Sequence, residues 1–224
     1  MCGKFAAGHL TQCQMREILE GFLYANVSQD ELAIESKQGY NISPSDQAHM
    51  VRWTEEGFEL TSAQWQISDP RQQKPMINSK IEKPYFWKDY WDHGRCVIPA
   101  LGYYEWSGIT GRKHPYFITV NRNAPVVFFA GFYRTSDNRH QCSILTCKPS
   151  SQIEYIHNRM PVILSPSEIE DWLAYVTSKE DAKDTLGTSW DGRFQVTPVK
   201  PIKPGCDGPE MVEKWKPKQS SFDF

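Results

Sequence analysis

Cys2 has the most chemistry to offer in this chain, because only Met1 separates it from the amino terminus. Removal of one initiator methionine would leave an α-amine and a thiol on adjacent carbons. Their ordinary pKa values are about 8 and about 8.5, so both groups are partly deprotonated near neutrality. A 1,2-aminothiol has a characteristic electrophile, an aldehyde. The amine adds to the carbonyl carbon to give a Schiff base, and the thiol then closes onto the same carbon as a five-membered thiazolidine. The plainer reading is an early cysteine with no role, so the rest of the chain must supply partners for it.

The other five cysteines (13, 96, 142, 147 and 206) form no CxxC pair and no Cys/His cluster at zinc spacing. Cys142 and Cys147 bracket the strand-like Ser143-Ile144-Leu145-Thr146, and burial in a sheet accounts for them better than metal binding. No metal or cofactor is expected. The formal charge of −2 argues against indiscriminate coating of nucleic acid. The charge is uneven, however. Residues 16–59 carry nine acids and three bases, whereas residues 71–114 carry eight bases and four acids, which makes the middle third a candidate face for an anionic ligand.

Five ordered segments add further polar groups: Cys2-Gly3-Lys4-Phe5-Ala6, Tyr40-Asn41-Ile42-Ser43-Pro44, Ile77-Asn78-Ser79-Lys80, Gly102-Tyr103-Tyr104-Glu105-Trp106 and Ile156-His157-Asn158-Arg159-Met160-Pro161. In order and spacing they closely resemble the signature blocks of the SOS-response-associated peptidase family of abasic-site-processing proteins, over residues 2 to about 212. The resemblance implies covalent capture of abasic sites in single-stranded DNA as a thiazolidine on Cys2. An abasic deoxyribose opens to an aldehyde, the electrophile that the aminothiol alone already pointed to. The peptidase label would then describe removal of Met1.

Carried over residue by residue, the resemblance implies that Cys2 is nucleophile and amine. Asn78 would hold the sugar or the Cys2 terminus through an amide that donates and accepts without titrating. Glu105 and His157 would move protons, His157 at the sugar ring oxygen and Glu105 at the amine, although those roles could be exchanged. Imidazole suits such work because it titrates near neutrality. Lys4, Lys80, Arg159 and Trp65 would contact DNA. Lys4 and Lys80 stand where the family usually has arginine, which keeps the charge and loses the bidentate fork. The stretch Trp65-Gln66-Ile67-Ser68-Asp69-Pro70 lacks the glycine and second tryptophan usual there, which bears on any base-stacking wedge.

The elements that must position these residues are mostly strands. Thr11-Gln12-Cys13-Gln14 reads as a capping box, and Met15, Ile18, Leu19, Phe22 and Leu23 recur at helical spacing, predicting a helix over roughly 12–25. Ser165-Pro166-Ser167-Glu168 starts another helix, and a short one is expected over about 179–186. Strands are expected near 48–53 and 58–65, over 96–106, 116–120, 126–134 and 142–147, and near 194–199. The sum is an α+β single domain, an antiparallel, barrel-like or sandwiched sheet core with peripheral helices. The domain spans 2–212, followed by a flexible tail over 213–224. A monomeric cytoplasmic protein without a membrane segment is expected, meeting single-stranded DNA at the nucleoid. Two other functions fit the same residues. One is an N-terminal-nucleophile hydrolase in which Cys2 attacks a carbonyl. The other is a non-catalytic binder of nucleic acid or modified bases, in which Cys2 is dispensable.

Overall fold

The computed structural model describes residues 2–30, 35–70, 73–83, 88–109, 111–120, 125–174, 186, 190 and 192–216. Helix α1 (Gln12–Leu23) begins where the capping box sets it, with Gln14 N–H donating to Thr11 Oγ1 at 3.2 Å and Thr11 N–H donating to Gln14 Oε1 at 3.0 Å. Helix α3 (Pro166–Leu173) starts behind Ser165, whose N–H donates to Glu168 Oε2 at 2.6 Å. A short helix, α2 (Lys88–His93), lies between them in sequence. The helix expected over 179–186 falls outside the described residues except for Leu186.

The strands divide between two sheets. The smaller contains β1 (Phe5–Ala6), β7 (Gly102–Ser107), β8 (His114–Val120) and β13 (Phe194–Pro198), in the order β1-β7-β8-β13 and antiparallel throughout. The larger runs β11 (Met160–Pro161), β10 (Arg139–Cys147), β4 (Gly57–Gln64), β3 (Gln47–Thr54), β6 (Arg95–Ala100), β9 (Val127–Ser136), β12 (Ile163–Leu164). Two short strands dock on it in parallel, β2 (Val27–Gln29) on β4 and β5 (Asn78–Lys80) on β10. Because β9 also pairs with β10, the strands β10, β4, β3, β6 and β9 form a ring. The ring is only partly closed, since β4–β10 and β3–β6 each meet at one residue pair. The expectation of a barrel-like sheet with peripheral helices is met, with parallel pairings added to the antiparallel ones.

One expected strand is really two. Residues 96–106 break at Leu101, where the chain leaves the ring at the end of β6 and enters the small sheet as β7, and Leu101 N–H donates to the Ala6 carbonyl at 2.7 Å. That crossing places β7 beside the amino-terminal strand. Side chains alternate along β7, so Tyr103 and Glu105 share one face while Tyr104 points the other way. Tyr103 joins the main core with Phe5, Trp65 and Phe129, whereas Tyr104 packs in a second cluster with Ala6, Phe117, Val199 and Met211. Phe5 pins β1 to the ring, its ring centroid 5.0 Å from Trp65 and 6.4 Å from Phe129. Truncating so buried an aromatic costs about 3–5 kcal/mol in general, so the segment carrying Cys2 is firmly anchored.

Of the stretch expected to be a tail, residues 213–216 are described. Trp215 N–H donates to the Pro198 carbonyl at 2.8 Å, and its indole stacks on His114 at 5.0 Å and 19°. Residues 217–224 lie outside the described residues. Among the described residues, no helix is long and apolar enough to cross a membrane.

Candidate active site

The antiparallel register Phe5↔Tyr103 and Ala6↔Gly102 runs the first residues back along β7 toward Glu105. Tyr104 N–H donates to the Lys4 carbonyl at 3.0 Å and continues that pairing. Cys2 is thereby drawn inside and is 0% exposed. Its thiol donates weakly to the Lys4 carbonyl, Sγ to O 3.6 Å. Asn78 reaches it from the other sheet, with Nδ2 donating to the Cys2 carbonyl oxygen at 2.8 Å.

Asn78 holds that position because β5 is locked on both sides. Its register with β10 is Ile144↔Asn78, Leu145↔Ser79 and Thr146↔Lys80, and the buried Ser79 and Ser143 hydroxyls lie 2.6 Å apart. Trp65 Nε1–H donates to the carbonyl of Ile77, the residue before Asn78, at 2.9 Å. Trp65 was expected to contact DNA. In this structure the side chain is 0% exposed and braces the strand that carries Asn78.

Glu105 is buried at 3% exposure on the same face of β7 as Tyr103. Burial pushes the Cys2 thiol far above its ordinary value, and the nearby Glu105 carboxylate adds to the shift. The sulfur is therefore held as a thiol in this state. The Tyr103 phenol is raised by burial first, then by Cys2, Glu105 and Cys147.

His157 lies on the segment leading into β11, which joins the ring through Thr146↔Pro161 and Cys147↔Met160. Ser107 Oγ donates to the Tyr155 carbonyl at 3.2 Å and ties this segment to the end of β7. Arg159 N–H donates to His157 Nδ1 at 3.1 Å, so a neutral imidazole carries its proton on Nε2.

Arg159 is less available than its sequence suggested. Nη1 and Nη2 donate to Glu82 Oε1 at 2.5 Å and Oε2 at 2.9 Å, and Nη2 also donates to the Thr146 carbonyl. In this state the guanidinium clamps β10 to the end of β5, and a phosphate would have to displace Glu82. Lys4 is also engaged, donating to Asn41 Oδ1 and Ser43 Oγ, both at 2.7 Å. Burial lowers its pKa, with Lys37 adding to the effect. Lys80, at the end of β5, is exposed.

The structure thus gathers Cys2, Asn78 and Glu105 at the seam between the sheets, with His157 on an adjoining segment. Sequence reasoning missed three contributors: Tyr103 opposite Phe5 on β7, Glu82 on Arg159, and Thr146 on the same arginine. Tyr103 stood in a quoted block, but nothing in a single chain distinguishes its hydroxyl from an aromatic core ring. Among the described residues, no group of His, Cys, Asp and Glu is arranged to hold a metal ion.

A family model described as SOS response associated peptidase (SRAP) matches residues 1–202. The chain is 29% identical over 232 residues to abasic site processing protein YobE of Bacillus subtilis, covering 95% of this chain and 99% of that protein. It is 27% identical over 193 residues to abasic site processing protein YedK of Escherichia coli, covering 82% and 84%. Among solved structures, a Bacteroides thetaiotaomicron protein shares the fold with a TM-score of 0.76 at 18% identity, covering 96% of this chain and 100% of that one. A phage-related protein from Bordetella bronchiseptica gives a TM-score of 0.67 at 25% identity, covering 89% and 95%.

Proposed function

The chain belongs to the SOS response associated peptidase family, and from that premise we propose that it processes abasic sites in DNA by capturing the sugar aldehyde on Cys2 after Met1 is removed. The observation that carries this reading is the Asn78 amide on the Cys2 carbonyl at 2.8 Å, which fixes the residue bearing both nucleophiles. Asn78 Oδ1 is buried and has no hydrogen-bond partner among the described residues, and a freed α-amine on Cys2 is the donor it suits.

The chemistry then runs in three stages. His157 protonates the deoxyribose ring oxygen as the C1′–O4′ bond breaks, and the C1′ hydroxyl gives up its proton to solvent, leaving the C1′ aldehyde. The neutral Cys2 amine attacks C1′, and Glu105 relays protons as the carbinolamine loses water and becomes an imine. The Cys2 sulfur then adds to the same carbon, the C=N electron pair passes to nitrogen, and the thiol proton follows it there. The product is a thiazolidine crosslink. Every group in this sequence comes from the chain itself.

The substrate is an abasic site in single-stranded DNA, because Cys2 lies at a seam that a stacked duplex sugar would not reach without being turned out. Lys80, exposed at the end of β5, meets a phosphate, and Arg159 joins it where a phosphate displaces Glu82. The test is incubation of the protein with a single-stranded abasic oligonucleotide, followed by denaturing electrophoresis and intact mass. A heat-stable adduct without borohydride is expected for protein lacking Met1, and none for Cys2→Ala or for protein that keeps Met1. The same adduct from Cys2→Ala would sink the proposal.

A further inference from the structure

We propose that Tyr155 is the stacking platform for a base next to the abasic site, with Arg112 and Lys113 on the neighbouring turn meeting phosphates of the same strand. This deepens the capture reading above and rests on it. Among the described residues, the large apolar side chains left in solvent are Tyr24, Ile109 and Tyr155, at 95%, 72% and 63% exposure. Scattered singly they would need no explanation, but two of the three lie on segments bonded to each other. Ser107 Oγ donates to the Tyr155 carbonyl at 3.2 Å, and Ile109 follows Ser107 by two residues.

That bond lies at the rim of the site. Glu105 precedes Ser107 by two residues on β7 and shares its face, and His157 follows Tyr155 by two. Packing turns Tyr155 outward. In the turn over residues 150–156, the Ile153 and Glu154 N–H groups donate to the Ser150 carbonyl at 3.0 Å, and Ile156 N–H donates to the Ile153 carbonyl at 2.9 Å. Ile153 and Ile156 are buried in the core, which leaves Glu154 and Tyr155 facing solvent.

Charge identifies the occupant. The turn between β7 and β8 closes with Arg112 N–H on the Ile109 carbonyl at 2.9 Å, and both Arg112 and Lys113 are exposed. Residues 107–114 contain no acid, and Glu154 is the carboxylate beside Tyr155. An exposed ring with cations nearby suits a single strand, whose bases stack on aromatic faces while its phosphates meet the cations. A base beside an abasic sugar has lost its stacking neighbour on that side, and the Tyr155 ring supplies a face in its place. Trp65, by contrast, is buried in the core.

The experiment measures binding of the full chain to single strands carrying tetrahydrofuran, an abasic analogue with no aldehyde, so that no adduct forms. Three strands are compared: one with both neighbouring bases, and two in which the 5′ or the 3′ neighbour is also replaced by tetrahydrofuran. On the first strand, Tyr155→Ala should weaken binding about tenfold and Tyr155→Phe less than about twofold, because stacking needs the ring and not the hydroxyl. Wild type should lose about tenfold when one particular neighbour is removed, and on that strand Tyr155→Ala should cost nothing further. Arg112→Ala and Lys113→Ala should each lower the salt slope by about 0.7, one phosphate of a single strand. Wild-type affinity in Tyr155→Ala, or an equal loss on all three strands, overturns the stacking role, and unchanged salt slopes overturn the phosphate contacts. A wild-type dimer that Tyr155→Ala abolishes assigns the patch to a second copy of the chain and overturns the proposal as well. Failure of the capture reading is separate, since it shows as no heat-stable adduct between wild type and a true abasic strand.

Discussion

Asn78 and Cys2 stand 76 positions apart, yet Nδ2 of one donates to the carbonyl of the other at 2.8 Å. The bond spans two sheets, since Asn78 belongs to the larger sheet and Cys2 leads into the small one. The amide has one donor committed and one acceptor open, an arrangement aspartate cannot reproduce. Asn78→Asp sets a carboxylate against the Cys2 carbonyl and favours the protonated amine. Crosslinking at neutral pH should fall about 10–100-fold, with the pH–rate profile shifted upward, whereas Asn78→Ala should slow the reaction without that shift. Initial crosslinking rates across pH for both variants provide the check.

The two lysines expected to meet DNA should behave differently. Lys80 is exposed and free to meet a phosphate, so Lys80→Ala should weaken DNA binding and lower the salt slope by about 0.7, one phosphate's worth for a single strand. Lys4 is tied to Asn41 and Ser43. Lys4→Ala should therefore destabilise the fold by about 1–3 kcal/mol through two lost charge-assisted bonds and leave the salt slope nearly unchanged. Binding isotherms at several salt concentrations, paired with urea unfolding, separate the two. A full salt-slope loss for Lys4→Ala would mean that DNA displaces Asn41 and Ser43.

Local chemistry made much of this readable. The Thr11 and Ser165 caps name their own helices, and the Glu55-Glu56 turn returns β3 into β4 with Thr54 facing Gly57. Cys2, Asn78 and Glu105 were picked out from sequence blocks, and the seam brings them together. What was hidden depends on long-range partners. Residues 96–106 are continuously apolar enough for one strand, and only the Leu101 bond to Ala6 shows where they change sheets. Arg159 reads as a free cation until Glu82, 77 residues away, is seen to hold it. Trp65 reads as a surface aromatic beside a polar loop until its indole is found on Ile77.

The Glu82–Arg159 pair should be visible in the acid limb of stability. Hydrogen bonding from Arg159 holds the Glu82 carboxyl below its ordinary 4.5, so near that pH the unfolded chain binds more protons than the folded one. The pair's contribution is then fully present above about 4.5 and disappears as pH falls through the depressed folded value. Glu82→Gln should lower the melting temperature at pH 7 and flatten its fall below pH 5, the two curves converging in acid. Because the Glu82 side chain is 43% exposed, the effect should be modest and shrink with added salt. Parallel curves for the two proteins would dismiss the pair as a contributor to stability.

The division of proton traffic between Glu105 and His157 yields the sharpest kinetic contrast. Glu105 is buried beside the Cys2 thiol, close to where the amine must lose a proton and the carbinolamine must lose water. His157 sits on the adjoining segment, half-buried, with Nδ1 accepting from the Arg159 amide, so that a neutral imidazole carries its proton on Nε2. Each group should contribute about a hundredfold or more to the rate. Glu105→Gln and His157→Ala should therefore slow adduct formation while folding and DNA affinity stay close to wild type. A substrate presented with its aldehyde already open bypasses ring opening, so it should restore His157→Ala much more than Glu105→Gln. Single-turnover rates on closed and pre-opened sugars test the assignment directly. Equal rescue of both variants would exchange or merge the two roles, and wild-type rates in both would remove these residues from the chemistry.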